Sequence, residues 1–359
     1  MAGGSLYGHN RATIVLTDAT TVENSSSVAG GGVAVLKTGT LEVAKSSRIE
    51  ACSARGNGGG AYIGRGTVMT VSSGSAVATS HAGGRGGGLF GHFVSTVVLE
   101  GRCVFANCTA HAGGGVQISN GAVLQASDST FVGCVGTTVG GGGIDMDTGS
   151  TGGGTFATVD FRRCTAPTGG GGGLALGTAS SATLTNSRFF DCTAGAAGGA
   201  VATFATGVSV ALKQTVFTAC HAAGDGGAFF LAQDCRASID ASTFSDSTAG
   251  GDGGAIATSA ASKLAVFGGT RVERNVAACG GGGLALRATS NVGVANVVIA
   301  DNVAVGGGGG AATAGAGATL HLGRAALLIM NIAASDGGAV EVRGKGAQLY
   351  VSASCSFVQ

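Results

Sequence analysis

Apolar and small polar residues alternate along this chain in short runs. "VAVL" at Val33, "VQI" at Val116, "IDM" at Ile144, "LAL" at Leu174 and "VEV" at Val340 all show a period of two. That period sends neighbouring side chains to opposite faces of a half-buried β-strand. A turn and a second run follow, as in "LEV" at Leu41, "VVL" at Val97 and "LHL" at Leu320. A third run then leads into a stretch such as "FANCTAHAGGGV", and no helical period lies between them.

The runs return at a nearly constant interval. A glycine pair, a small residue and a usually apolar anchor open each unit, with anchors at Leu6, Val33, Tyr62, Leu89, Val116, Ile144, Leu174, Val201, Phe229, Ile256, Leu284, Ala312 and Val340. The third run carries its leading apolar residue at Phe105, Phe131, Phe161, Phe189, Phe217 and Phe244 in the middle units. Three residues later stand Cys108, Cys134, Cys164, Cys192 and Cys220, then Ser247, Asn275, Asn302 and Asn331; Asn24 is assigned the same place in the first unit.

A repeat of about 28 residues with three short strands and no helix predicts an all-β, right-handed parallel β-helix. The expected domain covers residues 1–359 as about 13 coils of three strands each. Its hand follows the usual chirality of parallel crossovers. Coils stack about 4.8 Å apart, so equivalent residues pile into ladders. Phenylalanine then forms an internal apolar ladder, and the Cys/Ser/Asn position a column of small side chains beside it. Asn in that column can hydrogen-bond turn backbone, whereas Cys acts as a small hydrophobe. The 71 glycines supply the positive φ that tight corners need. Neither end shows a polar capping unit, so the chain is expected to be part of a longer repeat protein.

Composition removes several classes of function. Twenty basic residues face 19 acidic ones with no basic cluster, which argues against nucleic acid as partner. No apolar run is long enough for a membrane helix, and no secretory signal is visible at the start. An apolar fraction of 44% is too high for a disordered chain.

The pairing of "GGAIA" at Gly253 and "GGAVE" at Gly337 with "FANC", "FVGC", "FRRC", "FFDC", "FTAC", "VERN", "IADN" and "LIMN" resembles the repeats of chlamydial polymorphic outer membrane proteins. The resemblance covers essentially the whole chain, with Cys replacing Asn in five Phe-x-x-Asn motifs. It implies a right-handed β-helix displayed at the cell surface, structural or adhesive in role, facing a protein or carbohydrate ligand.

Several residues invite chemistry beside that plain reading. Asp145 and Asp147 in "GIDMDTG" alternate on one strand face and are the candidates for an acid/base pair or a calcium site. A pectin-lyase-like polysaccharide lyase or glycoside hydrolase is accordingly the rival function. Asp225 and Asp252 precede glycine pairs in successive coils, where they attract a cation or simply cap turn amides; Asp336 has the same setting. No cofactor is expected. Cys103, Cys235, Cys279 and Cys355 lie off the ladder and are the expected reactive thiols, while His81, His92, His111 and His221 are scattered. Residues beside the anchors, among them Ala34, Ile63, Phe90, Gln117, Asp145, Ala202 and Phe230, are expected to face outward, with Phe90 and Phe230 as exposed contact points. One Thr among them does not make the regular Thr column of an ice-binding face.

Overall fold

The computed structural model describes residues 3–147, 153–335 and 337–358. Asp336 therefore lies outside the described residues. The chain is a parallel β-solenoid, and the described residues contain strands and turns but no helix. It divides into two compact units, Met1–Ala182 and Thr183–Gln359.

Among the described residues every coil but the last carries four strands rather than three. One coil reads Val116–Ser119, Val123–Ser127, Thr130–Val132 and Val135–Gly136. The fourth strand, two residues long, lies between the Cys/Ser/Asn position and the glycine turn. Two residues are too few to show a period, so alternation cannot reveal it. Within each unit, every strand pairs in parallel with its equivalent one coil away. In the first unit Leu89 pairs with Val116 and Val116 with Ile144. In the second, Phe229 pairs with Ile256 and Ile256 with Leu284.

The core is the stack of inward residues. Phe105, Phe131 and Phe161 stack in the first unit at centroid distances of 5.2 and 5.1 Å. Phe189, Phe217 and Phe244 stack in the second at 4.9 and 4.5 Å. All six are buried. Coil spacing sets these distances, and a ring is large enough to fill the gap between one rung and the next.

Two positions differ from the sequence register by one residue. Ala61, not Tyr62, pairs with Leu89, so Ala61 is the anchor, Ile63 points inward and Tyr62 joins the outer column beside Phe90. Ser26 pairs with Ser53, which puts Ser25 in the column of Cys52 and leaves Asn24 in the exposed turn before it. A slip of one residue exchanges the two faces of a strand.

The outer column beside the anchors is mostly covered. Ala34, Phe90, Gln117, Asp145, Ala175, Ala202, Ala257 and Ala285 are buried, and Phe230 is half-buried. Phe90, at 2% exposure, is therefore not the exposed contact point expected of it. The glycine turn folds back over this face. A Cβ on Gly113 would lie 2.7 Å from the Gln117 Cβ, and one on Gly30 2.8 Å from the Ala34 Cβ. With φ near +60° and no room above the strand, these corners accept only glycine.

Candidate functional site

The outer face of the first strand carries two polar clusters, one in each unit. In the first unit Tyr62, Phe90, Gln117 and Asp145 occupy successive coils of one column. Asp147 lies two residues beyond Asp145 on the same face, and Arg85 reaches it across two coils with Nη1 donating to Oδ2 at 2.6 Å. Beneath that bridge Gln117 Nε2 donates to Asp145 Oδ2 at 2.7 Å. The Gly140 turn closes over Asp145, because a Cβ there would lie 2.6 Å from the carboxyl carbon.

Burial dominates the electrostatics of Asp145. It pushes the carboxyl up to about 7, and the neighbouring Asp147 charge pushes the same way. Arg85, the Gly141 amide and Gln117 only partly offset this. Desolvation penalises the charged form most where no cation makes direct contact. Asp145 and Asp147 thus meet as the alternation predicts, but Asp145 is 7% exposed and does not open onto solvent like a catalytic carboxyl.

An aromatic row runs from this cluster. Tyr62 and Phe90 lie 5.4 Å apart, Phe90 and His92 5.3 Å, and His92 and Phe93 3.7 Å between ring centroids. Asn120 Nδ2 donates to His92 Nε2 at 2.6 Å, with the imidazole in the tautomer that accepts there. Burial and then the Arg85 charge hold His92 below its ordinary range, which favours the neutral ring. Phe93 and Val94 are 50% and 68% exposed and have φ of 50° and 57°. A left-handed conformation is costly for a bulky or β-branched residue, and exposure returns no packing energy. Equivalent turns place Lys37 and Thr38, or Asn120 and Gly121, at these two positions.

In the second unit Arg287 Nη1 lies 2.7 Å from Asp225 Oδ2, and Arg287 Nη2 lies 2.8 Å from Asp252 Oδ2. Asp225 Oδ1 also accepts the Asp252 amide and Asp252 Oδ1 the Gly280 amide. The cation these acids attract is a guanidinium, and the turn-capping role holds as well. Among the described residues, no three His, Cys, Asp or Glu side chains are grouped to hold a metal ion.

The off-ladder cysteines fall into two classes. Cys103 and Cys235 are buried, and burial pushes Cys103 up to about 11 and raises Cys235, so neither is the reactive thiol expected. Cys279 is exposed and Cys355 partly so. His81 and His221 each stand on a fourth strand and bond a threonine one coil away, Thr109 or Thr248. Pattern reading passed over Arg85, Phe93, Asn120 and Arg287, and left His92 without a role. A usable signal was present, since Arg85 to Asp147 and Asp225 to Arg287 both span 62 residues, two coils.

Comparison of the chain with protein-family models, curated proteins and solved structures finds no match. Among the described residues no helix is long and apolar enough to cross a membrane.

Proposed function

We propose that this chain is a non-enzymatic, adhesin-like β-solenoid of the cell surface, as its resemblance to polymorphic outer membrane protein repeats implies, and that its ligand is a carbohydrate. The exposed, left-handed Phe93–Val94 turn carries the proposal. It exposes two large apolar side chains where the adjoining coils place Arg65 and Gly66 or Asn120 and Gly121, and such exceptions gather where a surface does something other than fold. Tyr62, His92 and Phe93 offer ring faces for the C–H side of a sugar. Arg85, Asn120 and Asp147 offer planar hydrogen-bonding groups beside them. A protein partner typically engages about 20–30 residues on each side, far more than this strip.

The test is binding of a glycan panel to the full chain and to Phe93→Ala, with reducing ends and unsaturated products followed in the same samples. Binding without turnover, weakened at least about tenfold in Phe93→Ala, supports the proposal. Equal binding by both proteins rejects the strip as the site.

Polysaccharide cleavage is the second reading. One observation favours it: a carboxyl near 7 beside a second carboxyl, the division of labour that acid/base hydrolysis requires. Sustained product release lost in Asp145→Asn would establish it in place of the first.

A further inference from the structure

We propose a second binding site in the first unit, a groove on the fourth-strand face that takes a tetrahedral oxyanion, the phosphate or sulfate group of a ligand. The groove has a volume of about 670 Å³ and is lined by Ser26, Ser53, His81, Arg55, Val28 and Gly83 among others. That volume falls within the usual range for small-molecule sites. The site is separate from the aromatic strip and does not rest on the carbohydrate reading.

Three features point to an anion. No lining residue is acidic. Arg55, in the lining, forms no ion pair among the described residues, so its guanidinium is open to a ligand. A guanidinium offers a planar fork of N–H donors that matches a phosphate or sulfate edge. Ser26, Ser53 and His81 stand in register on successive coils, so hydroxyl, hydroxyl and imidazole line one column about 4.8 Å apart. The Ser26 and Ser53 hydroxyls have no protein partner among the described residues and are free to turn their O–H toward a ligand. The His81 ring is held by Nδ1 against Thr109 Oγ1 at 2.8 Å, which leaves Nε2 as its unengaged nitrogen.

Gly83 lets its coil pack closely against the Arg55 backbone at the groove. A Cβ there would collide with the Arg55 carbonyl oxygen, so no side chain fits at that position without moving the backbone beneath Arg55.

The experiment titrates inorganic phosphate and sulfate into the full chain at constant ionic strength, by calorimetry and by the His81 imidazole signals in NMR. Saturable binding that shifts His81 and weakens at least about tenfold in Arg55→Gln is the expected result. Arg55 is exposed, and circular dichroism verifies that the variant keeps its fold. No saturation, or equal affinity in Arg55→Gln, overturns the proposal. Competition by a sulfated or by a phosphorylated polysaccharide then identifies the source of the group. Competition by neither retains the site and assigns it to a small free anion. Because Phe93→Ala leaves this groove intact, failure here and failure of the aromatic strip are separately visible.

Discussion

Two groups of coils, the middle ones with Cys and the last ones with Asn on the rung beside the Phe ladder, fill that place with different chemistry. In the first, Cys134 Sγ lies 3.5 Å from the Phe105 carbonyl oxygen and 3.7 Å from that of Val132. In the second, Asn275 Nδ2 lies 3.0 Å from the Phe244 oxygen and 3.1 Å from that of Glu273. These are the same two acceptors by position. Asn also uses its own oxygen: Asn302 Oδ1 accepts from the Asn275 amide and from Asn275 Nδ2, and Asn331 Oδ1 does the same for Asn302. Cys134 also interacts with Cys108 and Cys164, but a thiol is a weak donor and a weak acceptor, so that row is held less firmly. The outer face repeats the contrast. Arg85 to Asp147 and Asp225 to Arg287 are one two-coil bridge with its charges exchanged. Beneath the first lies a buried acid; beside the second lies a partly exposed one, already bonded. The shared backbone fixes the places, and the degree of desolvation decides what each side chain there contributes.

The largest expected effect breaks the polar rung. Asn302→Ala removes the side-chain acceptor of the Asn275 amide and one partner each of Asn275 Nδ2, Asn331 Oδ1 and the Val272 oxygen in a dry interior. Buried unsatisfied groups cost about 1–3 kcal/mol each, so a loss of about 3–5 kcal/mol after partial relaxation is expected in denaturant unfolding. A loss below about 1 kcal/mol would show that the Asn chain adds nothing beyond what Cys provides.

Next comes the buried acid. The folded pKa of Asp145, about 7, lies above the ordinary carboxylate value of about 3.9. Between those values the folded chain holds a proton that the unfolded chain has released. Stability is therefore fullest below about pH 4 and declines as pH rises toward 7, by a few kcal/mol. Asp145→Asn should flatten this decline in melts taken from pH 4 to 8; an unchanged slope would place its cause elsewhere.

A smaller effect separates the two bridges. Arg287 is about half exposed, and its removal should cost no more than about 1 kcal/mol. Removing Arg85 takes away a charge that lowers the Asp145 pKa, so the pH decline should extend to higher pH. The Arg287→Ala profile should keep its shape.

The smallest is Cys134→Ser, expected within about 1 kcal/mol of wild type in the same unfolding assay. Ser80 and Ser247 already occupy this rung and donate to the carbonyl two residues back, at 3.0 and 3.2 Å. A loss above about 2 kcal/mol would mean that sulfur packing, not donor placement, holds the rung.

How much could be read in advance depended on how sharply each residue contrasts with its neighbours. The Phe column was legible because a bulky ring recurs once per coil among small residues. The Tyr62 anchor was misread because "GNGGGAYIG" admits two glycine registers, and Asn24 because "ENSSS" offers two polar choices. Asp145 and Asp147 were visible as a pair, but the burial of one and its Arg85 neighbour were not, since neither is written in local spacing.

The amino-acid order alone determined the coil length, the parallel winding and the internal ladders, because a strict repeat of small and apolar residues leaves one economical way to bury them. Tertiary structure decided which outer positions meet water. Whether a glycine corner folds back over a strand depends on its φ and on the coil stacked against it, and these are properties of the assembled turns. That same closure buried Phe90 and Asp145 and left Phe93 in the open.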